Sequence, residues 1–352
     1  MREFCTYFDN NYLPRGLALY KSLERHCPDF RLWILCMDPL CFNYLNQLHL
    51  KNAILIALDQ FEKGDVELQN AKANRSPVEY YFTCTASMLL YIFRGFPDVD
   101  SLTYVDSDFF LFSDPSPVFD EIGDRPIAIT AHRFSPDFRY LERHYGVYNV
   151  GWLTFRRSSI ALACLQRWRA QCLEWCYDKV EDGRFGDQMY LNDWPKRYPE
   201  TYVIQHKGVN LMPCNIGNYV ISLKDKEVYV DDDPLICYHF FGLKGYRGMV
   251  YYLSLSRYGV NPTPQVLKGI YEPYLKCMNE VQSQNRSRLV GLKKTKTLRG
   301  DRRGSLLLMI HSKYARARAI MKAVIQRQFI LSIRGRIIFK FIPCGIKALF
   351  QE

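Results

Sequence analysis

Along residues 1–260, short apolar runs alternate with segments whose apolar positions recur every three or four residues. That alternation predicts strands joined by covering helices, an α/β chain with a mainly parallel sheet. "EFCTYF" reads as the first strand, with "DNNYLP" as the turn at its carboxyl end. "LPRGLALYKSLERHC" follows as a helix, with Pro14 in its first turn and Leu13, Leu17, Tyr20 and Leu23 on one face. "RLWILCMD" and "AILIAL" are the next strands, "VEYYFTCTASMLLYIF" a buried helix, and "SLTYVDSD" the fourth strand. Further strands are expected at "PIAITAH", "YNVGWLTF", "TYVIQH" and "LICYHFFG", with a long helix around Ser158–Val180 and a shorter one after Gly186.

In open α/β sheets, ligands collect beyond the carboxyl ends of the strands. Three polar groups fall there: "DNNY", "DSD" and His239. Side chains at i and i+2 of an extended chain point the same way, so Asp106 and Asp108 would aim two carboxylates at one point, with Ser107 facing away. Two hard anionic oxygens suit Mn²⁺ or Mg²⁺; without a cation they repel and one tends to protonate. On spacing alone, a polar strand end that makes turns and caps explains the same pair. Each other residue also has a structural explanation. His239 reads as a hydrogen-bonded core side chain, Asp9–Asn11 and Asp187 as helix-capping groups, Lys244 as a solvated charge, and Trp152, Trp168, Trp175 and Trp194 as packing.

Order along the chain adds information. "CTYFDNNYLPRGLALYKSL", "TYVDSDFFLF", "YNVGWLTF", "GDQMYLND", "NLMPCN" and "YHFFGLKGY" follow one another over about residues 1–250. Together they resemble the GT-A fold nucleotide-sugar glycosyltransferases, in particular the glycogenin-like and galactosyltransferase-like enzymes of family 8. The resemblance implies a GT-A type, Rossmann-like mixed sheet flanked by helices. It implies that Asp9, Asn11 and Tyr12 contact the nucleotide, and that Asp106, Asp108 and His239 hold Mn²⁺ or Mg²⁺ on the donor diphosphate. Lys244, after Gly242, would offset charge on the departing diphosphate. Asn149 and Gly151 match a strand beside the donor sugar, Asp187 and Gln188 the reactive face, and Asn210 and Asn215 the sugar pocket. Two departures stand out. The helix before the fourth strand, "TASMLLYIF", lacks the arginine the family often places near the diphosphate, leaving Arg75 or Lys72 as substitutes. The family's final "HxxGxxKPW" is here "HFFGLKGYR", with lysine one place earlier and no tryptophan.

The resemblance implies transfer of a sugar, UDP-hexose being the expected donor, to a hydroxyl of a glycan or lipid-linked acceptor, with retention and with Gln188 beside the anomeric carbon. An inverting enzyme with Asp187 as base stays open, as does a non-enzymatic basic adaptor for membrane or nucleic acid. A nucleotidyltransferase would want a Gly-rich basic loop after the first strand, which "FDNNYLPRG" is not.

Charge redraws the far end of the chain. Residues 281–352 hold seventeen Lys and Arg against Asp301 and Glu352, a net of +15 in a chain whose total is +11, so residues 1–280 carry −4. A nucleic-acid partner inferred from the total would mistake a property of the tail for one of the whole. Residues 1–260 are expected to form the catalytic domain and 261–352 a basic amphipathic helical region suited to an anionic membrane surface. That surface would hold a lipid-linked or lipopolysaccharide-like acceptor. No apolar run reads as a spanning helix, and "MREFCTYFDNNYLPRG" lacks a secretory layout, so a cytoplasmic protein, peripheral on the membrane's cytoplasmic face, is expected. Twelve cysteines without a Cys-x-x-Cys pair fit free, buried thiols.

Overall fold

The computed structural model describes residues 1–246, 250–284, 329–333 and 336–338. The chain divides into two compact units, Met1–Phe240 and Phe241–Glu352.

In the first unit the strands are β1 (Arg2–Phe8), β2 (Phe30–Cys36), β3 (Ala53–Ala57), β4 (Ser101–Val105), β5 (Phe109–Leu111), β6 (Ile127–Ala131), β7 (Tyr148–Arg156), β8 (Thr201–Val203), β9 (Ile221–Lys224), β10 (Glu227–Val230), β11 (Asp233–Pro234) and β12 (Cys237–His239). The helices are α1 (Leu13–His26), α2 (Pro39–Leu48), α3 (Leu58–Glu62), α4 (Val66–Ala73), α5 (Pro77–Gly95), α6 (Ser116–Ile122), α7 (Glu142–Tyr145) and α8 (Ser159–Glu174). Seven strands form the central sheet in the order β3-β2-β1-β4-β7-β6-β8. β1 runs parallel to β2 and β4, β2 to β3, and β6 to β8, whereas β7 is antiparallel to both β4 and β6. The sheet is therefore mixed but mainly parallel, with β1 and β2 largely buried inside the parallel half and β3 half-buried at its edge.

Local chemistry starts the helices where the sequence indicates. Asp38 caps α2 by accepting from Cys41 N at 2.8 Å, Ser158 caps α8, and Ser76 with Glu79 forms a reciprocal capping box at the start of α5. α5 buries Thr83–Leu90 as an unbroken run, because it packs against both the sheet and α8. Gly16 is needed on α1: a Cβ there would lie 2.3 Å from the Phe8 ring, so only glycine lets α1 settle on β1. Trp33, Trp152, Trp168 and Trp194 are fully buried and Trp175 nearly so, which makes them core. Among the described residues, eleven cysteines carry free thiols, ten of them buried.

The structure corrects several details. The helix expected over Ser158–Val180 ends at Glu174, and the one after Gly186 begins as a 3₁₀ stretch, Met189–Asp193, that runs into a short α-helix, Trp194–Arg197. "LICYHFFG" does not join the central sheet; β12 pairs antiparallel with β5 in a two-stranded sheet of its own.

The second unit contains β13 (Lys244–Tyr246), β14 (Val250–Tyr252), β15 (Phe329–Ile333) and β16 (Arg336–Ile338), an antiparallel sheet in that order. It also contains helical turns over Pro264–Tyr271 that run into Glu272–Gln284. Where a basic amphipathic helical segment was expected, "FILSI" and "RII" are strands, in keeping with the strand preference of Ile and Phe. The remainder of the expected tail helix lies outside the described residues. No helix among the described residues is long and apolar enough to cross a membrane.

Candidate active site

β4 ends at Val105, and the chain turns at once: Phe109 N donates to Asp106 O at 3.1 Å. Asp106 and Asp108 thus flank a tight turn into β5 instead of sitting two apart on extended chain, which revises the reason for their convergence. Two backbone bonds fix the turn. Asp106 N donates to Gly151 O on β7 at 3.1 Å, and Phe240 N donates to Asp108 O at 2.9 Å. The second bond extends the β5–β12 pairing, in which His239 sits opposite Phe109.

That register delivers the third group. His239 Nε2 lies 3.1 Å from Asp108 Oδ1 and 3.5 Å from Asp106 Oδ2, and one ligand atom from each residue falls within 4.8 Å of the others. His239 is 3% exposed. Burial alone would lower its pKa, but Asp108, through charge and hydrogen bond, and then Asp106 reverse that and raise it. Burial lifts the Asp106 carboxyl above its usual range, with Asp108 adding to the lift against the pull of His239 and the hydrogen bond from Tyr104. Burial also opposes the charge on Asp108, yet His239 and Arg15 outweigh it and hold that carboxyl low. Two carboxylates and an imidazole nitrogen are a donor set for Mn²⁺ or Mg²⁺, and the close approach of two acids is what such a cation would relieve. The residues fit a divalent cation.

The three candidate ligands are themselves held. Tyr104 OH donates to Asp106 Oδ1 at 2.7 Å, and the Phe109 ring stacks on His239 at 4.5 Å between centroids. From Tyr104 a buried polar file runs away from the cation site. Tyr7 OH and Thr85 Oγ1 are 3.3 Å apart, and Thr85 donates to Asp187 Oδ2 at 2.9 Å. Asp187 is 5% exposed, and burial, with Asp106 adding to it, pushes its carboxyl up to about 7. Its carbonyl accepts from Trp168 Nε1 at 2.8 Å.

A second cluster surrounds Asn149. Its Oδ1 accepts from Gly151 N at 2.9 Å and from Asn210 Nδ2 at 3.2 Å, while its Nδ2 faces His132 Nε2 at 3.3 Å and Gln188 Oε1 at 3.5 Å. Gln188 is anchored by donating to Tyr145 O. Asn210 also donates to Thr130 Oγ1, and its Oδ1 has no hydrogen-bond partner among the described residues. Asn215 is fully buried, with both Nδ2 contacts and its Oδ1 taken up by His132 O, Asn210 O and Met212 N. Asp9 accepts from Asn11 N and Tyr12 N with Oδ1, and from Asn11 Nδ2 and Tyr81 OH with Oδ2, so it shapes the turn into α1. Asn11 and Tyr12 are exposed. Gly242, at φ 73°, and Lys244, exposed on β13, belong to the second unit.

No model of a known protein family matches the chain. Over 287 residues it is 30% identical to the uncharacterized protein YfnD of Bacillus subtilis (strain 168), covering 80% of this chain and 91% of YfnD. The chain belongs to the YfnD family. The uncharacterized protein YfnF of the same organism is 32% identical over 248 residues, covering 68% of this chain and 81% of YfnF. Among solved structures, the galactosyltransferase LgtC, in complex with donor and acceptor sugar analogs, superposes with a TM-score of 0.53 at 16% identity, over 82% of this chain and all of LgtC. This YfnD-family chain therefore has the GT-A glycosyltransferase fold, as its sequence motifs imply.

Reading the sequence missed several groups in the YfnD-family site. Arg15 brings Nη1 to 3.7 Å from Asp108 Oδ2 and lays its guanidinium 4.5 Å over the Tyr12 ring. Tyr7, Thr85, Tyr104, Thr130 and His132 carry the supporting hydrogen bonds. Their only signal in the sequence is a hydroxyl or imidazole inside an apolar strand or helix. The two proposed stand-ins near the diphosphate are engaged elsewhere. Arg75 clasps Leu173 O, Glu174 O and Tyr177, and Lys72 pairs with Glu62 at 2.7 Å. A separate cleft of about 980 Å³ lies between the α3–α4 segment and α5, lined in part by Phe61, Lys63, Tyr91, Arg94 and Arg169, and includes none of the candidate residues.

Proposed function

We propose that this chain is a metal-dependent glycosyltransferase that moves a hexose from a nucleoside diphosphate sugar, UDP-hexose foremost, to a hydroxyl of a glycan or lipid-linked acceptor, with retention. The observation that carries this is the meeting of Asp106, Asp108 and His239 at one point on a GT-A fold.

Asp106, Asp108 and His239 would hold Mn²⁺ or Mg²⁺. When bound, the cation supplies Lewis-acid stabilisation of negative charge on the leaving diphosphate. Tyr104 and Phe109 keep two of those ligands in place. Asn11 and Tyr12, exposed at the end of β1, are available to a nucleotide, with Asp9 fixing their turn. Asn149, beside Gly151, and Asn210 are the polar groups assigned to the donor sugar; Asn215, wholly internally bonded, holds the Asn210 loop. Lys244, after Gly242, is assigned to the diphosphate. Gln188, its amide donated to Tyr145 O, stands as a neutral group on the reactive face and suits retention, where no strong base is required. Positioning of acceptor and anomeric carbon supplies much of the remaining rate.

One observation favours inversion as a second reading: Asp187 carries a carboxyl raised to about 7, the range of a general base at neutral pH. The anomeric configuration of the product separates the two.

The decisive experiment is a hydrolysis screen of UDP-, GDP- and CMP-sugars with Mn²⁺ or with EDTA. Metal-dependent release of nucleotide from one donor is expected; release from none by folded protein overturns the assignment. The membrane-side acceptor rests on the +15 of residues 281–352. Unchanged binding to anionic liposomes after removal of those residues would remove that part of the reading.

A further inference from the structure

We infer that the cleft between the α3–α4 segment and α5 is a second saccharide site, which holds acidic glycan apart from the transfer centre. The choice of a saccharide rests on the glycosyltransferase reading; its acidity rests on the cleft alone. At about 980 Å³ the cleft matches the upper end of small-molecule pockets, roughly 300–1,000 Å³, and has room for more than one sugar ring. Helix α5 serves the two places from different turns. Thr85 reaches Asp187, whereas Ser87, Leu90, Tyr91 and Arg94, spaced by three and four, line the cleft. From Thr85 to Arg94 the helix rises about 14 Å, at about 1.5 Å per residue.

The charges of the lining are sorted into a closed group and an open one. Arg169 donates to Asp65 Oδ1 and Oδ2 at 2.7 and 2.8 Å and to Glu67 Oε2 at 2.9 Å. That clasp engages both carboxylates of the lining, so neither meets an incoming anion uncompensated. Lys63 and Arg94 are exposed, and their side chains have no ion pair or hydrogen bond among the described residues. Three cations against two carboxylates leave the lining at +1, although residues 1–280 together carry −4. A negative group is therefore drawn to this cleft and not to its surroundings.

The walls fix the rest of the ligand. Phe61 and Tyr91 meet edge to face at 5.5 Å, and Phe96, 38% exposed, leans on Trp33. Such rings suit the C–H faces of pyranose sugars. Ser87, 5% exposed, lines the cleft with a hydroxyl that has no hydrogen-bond partner among the described residues. A hydrocarbon tail would leave that hydroxyl and both cations unmet, whereas an acidic saccharide brings hydroxyls and anionic oxygens together. The acid is a uronate carboxylate or a phosphate ester, since Lys63 and Arg94 can serve either. Two sites on one chain also raise the effective concentration of any glycan long enough to reach both.

The test is calorimetric titration of the full chain, in EDTA, with trigalacturonate, glucose 6-phosphate and neutral maltotriose. It compares wild type with Lys63→Gln/Arg94→Gln and with Gly95→Glu, each first checked for an unchanged thermal midpoint. Gly95 lines the cleft and a Cβ there meets nothing within 4 Å, so Gly95→Glu adds a negative charge without a clash. Wild type is expected to bind at least one acidic probe about tenfold more tightly than maltotriose. Trigalacturonate reports a carboxylate site and glucose 6-phosphate a phosphate site. Each variant should bind that probe about tenfold more weakly or worse, as loss of a charged hydrogen bond implies, with UDP binding in Mn²⁺ unchanged.

Wild type that binds neither acidic probe, or binds maltotriose as tightly, overturns the inference. Variants that keep the wild-type affinity overturn it too. A parallel loss of UDP and the acidic probe would assign the cleft to the donor and likewise overturn it. None of these titrations requires turnover, so failure of the donor hydrolysis screen strikes the glycosyltransferase reading and leaves the binding result separately readable.

Discussion

The Phe109 ring lies flat against the His239 imidazole, with 4.5 Å between centroids and 27° between planes. The two residues face each other across the β5–β12 pair, so the strand register that ties the end of the first unit to the carboxylate turn also sets the plane of the imidazole. Gly151 also stands against the Phe109 ring, and its missing side chain is what lets the ring sit there. A Cβ at that position would come 2.9 Å from the Phe109 ring and 2.5 Å from Asn149 Oδ1.

Gly151→Ala should therefore act on the cation site through packing. Phe109 or Asn149 must shift, at a cost of about 1–3 kcal/mol for overpacking a close-packed interior. His239 should follow Phe109, and Mn²⁺ affinity should fall. Urea unfolding and a Mn²⁺ titration check both; an unchanged affinity would show that the stacking does not orient the ligand.

Tyr104→Phe removes only the hydroxyl that donates to Asp106 Oδ1 at 2.7 Å. Burial already raises the Asp106 carboxyl, and loss of that donor raises it further and frees its rotation. Changes behind metal ligands commonly cost about 10–100-fold in metal affinity or activity. The expected outcome is a higher Mn²⁺ concentration for half-maximal activity, with much of the rate restored at saturating metal. An unchanged activation curve would separate the hydroxyl from the site.

The parts of this picture that were legible in the sequence are those fixed by neighbours in the chain. β1, α1, β2, α5 and β4 follow from local periodicity and caps, and "DSD" at the end of β4 is visible as a motif. The turn between Asp106 and Phe109 was read as straight chain, because one intervening residue cannot distinguish a turn from a strand. The placing of His239 depends on β12 pairing with β5 instead of entering the main sheet, a choice made by long-range register. Arg15 escaped notice because it lies between Pro14 and Gly16 in a helix start, where a basic residue draws no attention. Its meaning comes only from Asp108 approaching across the fold.

Arg75 illustrates the converse, a residue singled out by position whose side chain is occupied elsewhere. Its guanidinium lies 4.0 Å over the Tyr177 ring and donates to the last carbonyls of α8 at 3.2 and 3.3 Å. Arg75→Ala should lower stability by about 1–3 kcal/mol, through the unmet carbonyls and the lost stacking. Nucleotide diphosphate affinity should stay at the wild-type value. A selective loss of that affinity with stability intact would return Arg75 to the donor site.

Asp187 should make stability depend on pH in a direction that its surroundings fix. Burial raises its carboxyl to about 7 in the folded chain, against about 3.9 for an unfolded aspartate. Below the unfolded value both states are protonated and the residue costs nothing. As pH rises from there toward 7, the unfolded state gives up the proton that the folded state keeps, and stability falls; above the folded value the penalty is complete. Asp187→Asn keeps an oxygen to accept from Thr85 but has no proton to lose. Compared with wild type, the variant should gain relative stability between pH 4 and pH 8, by an amount on the order of a few kcal/mol, and most of the change should come before pH 7. Urea unfolding of both proteins across that range measures it. Parallel stability curves would mean that Asp187 is charged in the folded protein at neutral pH, with a cation or solvent reaching it.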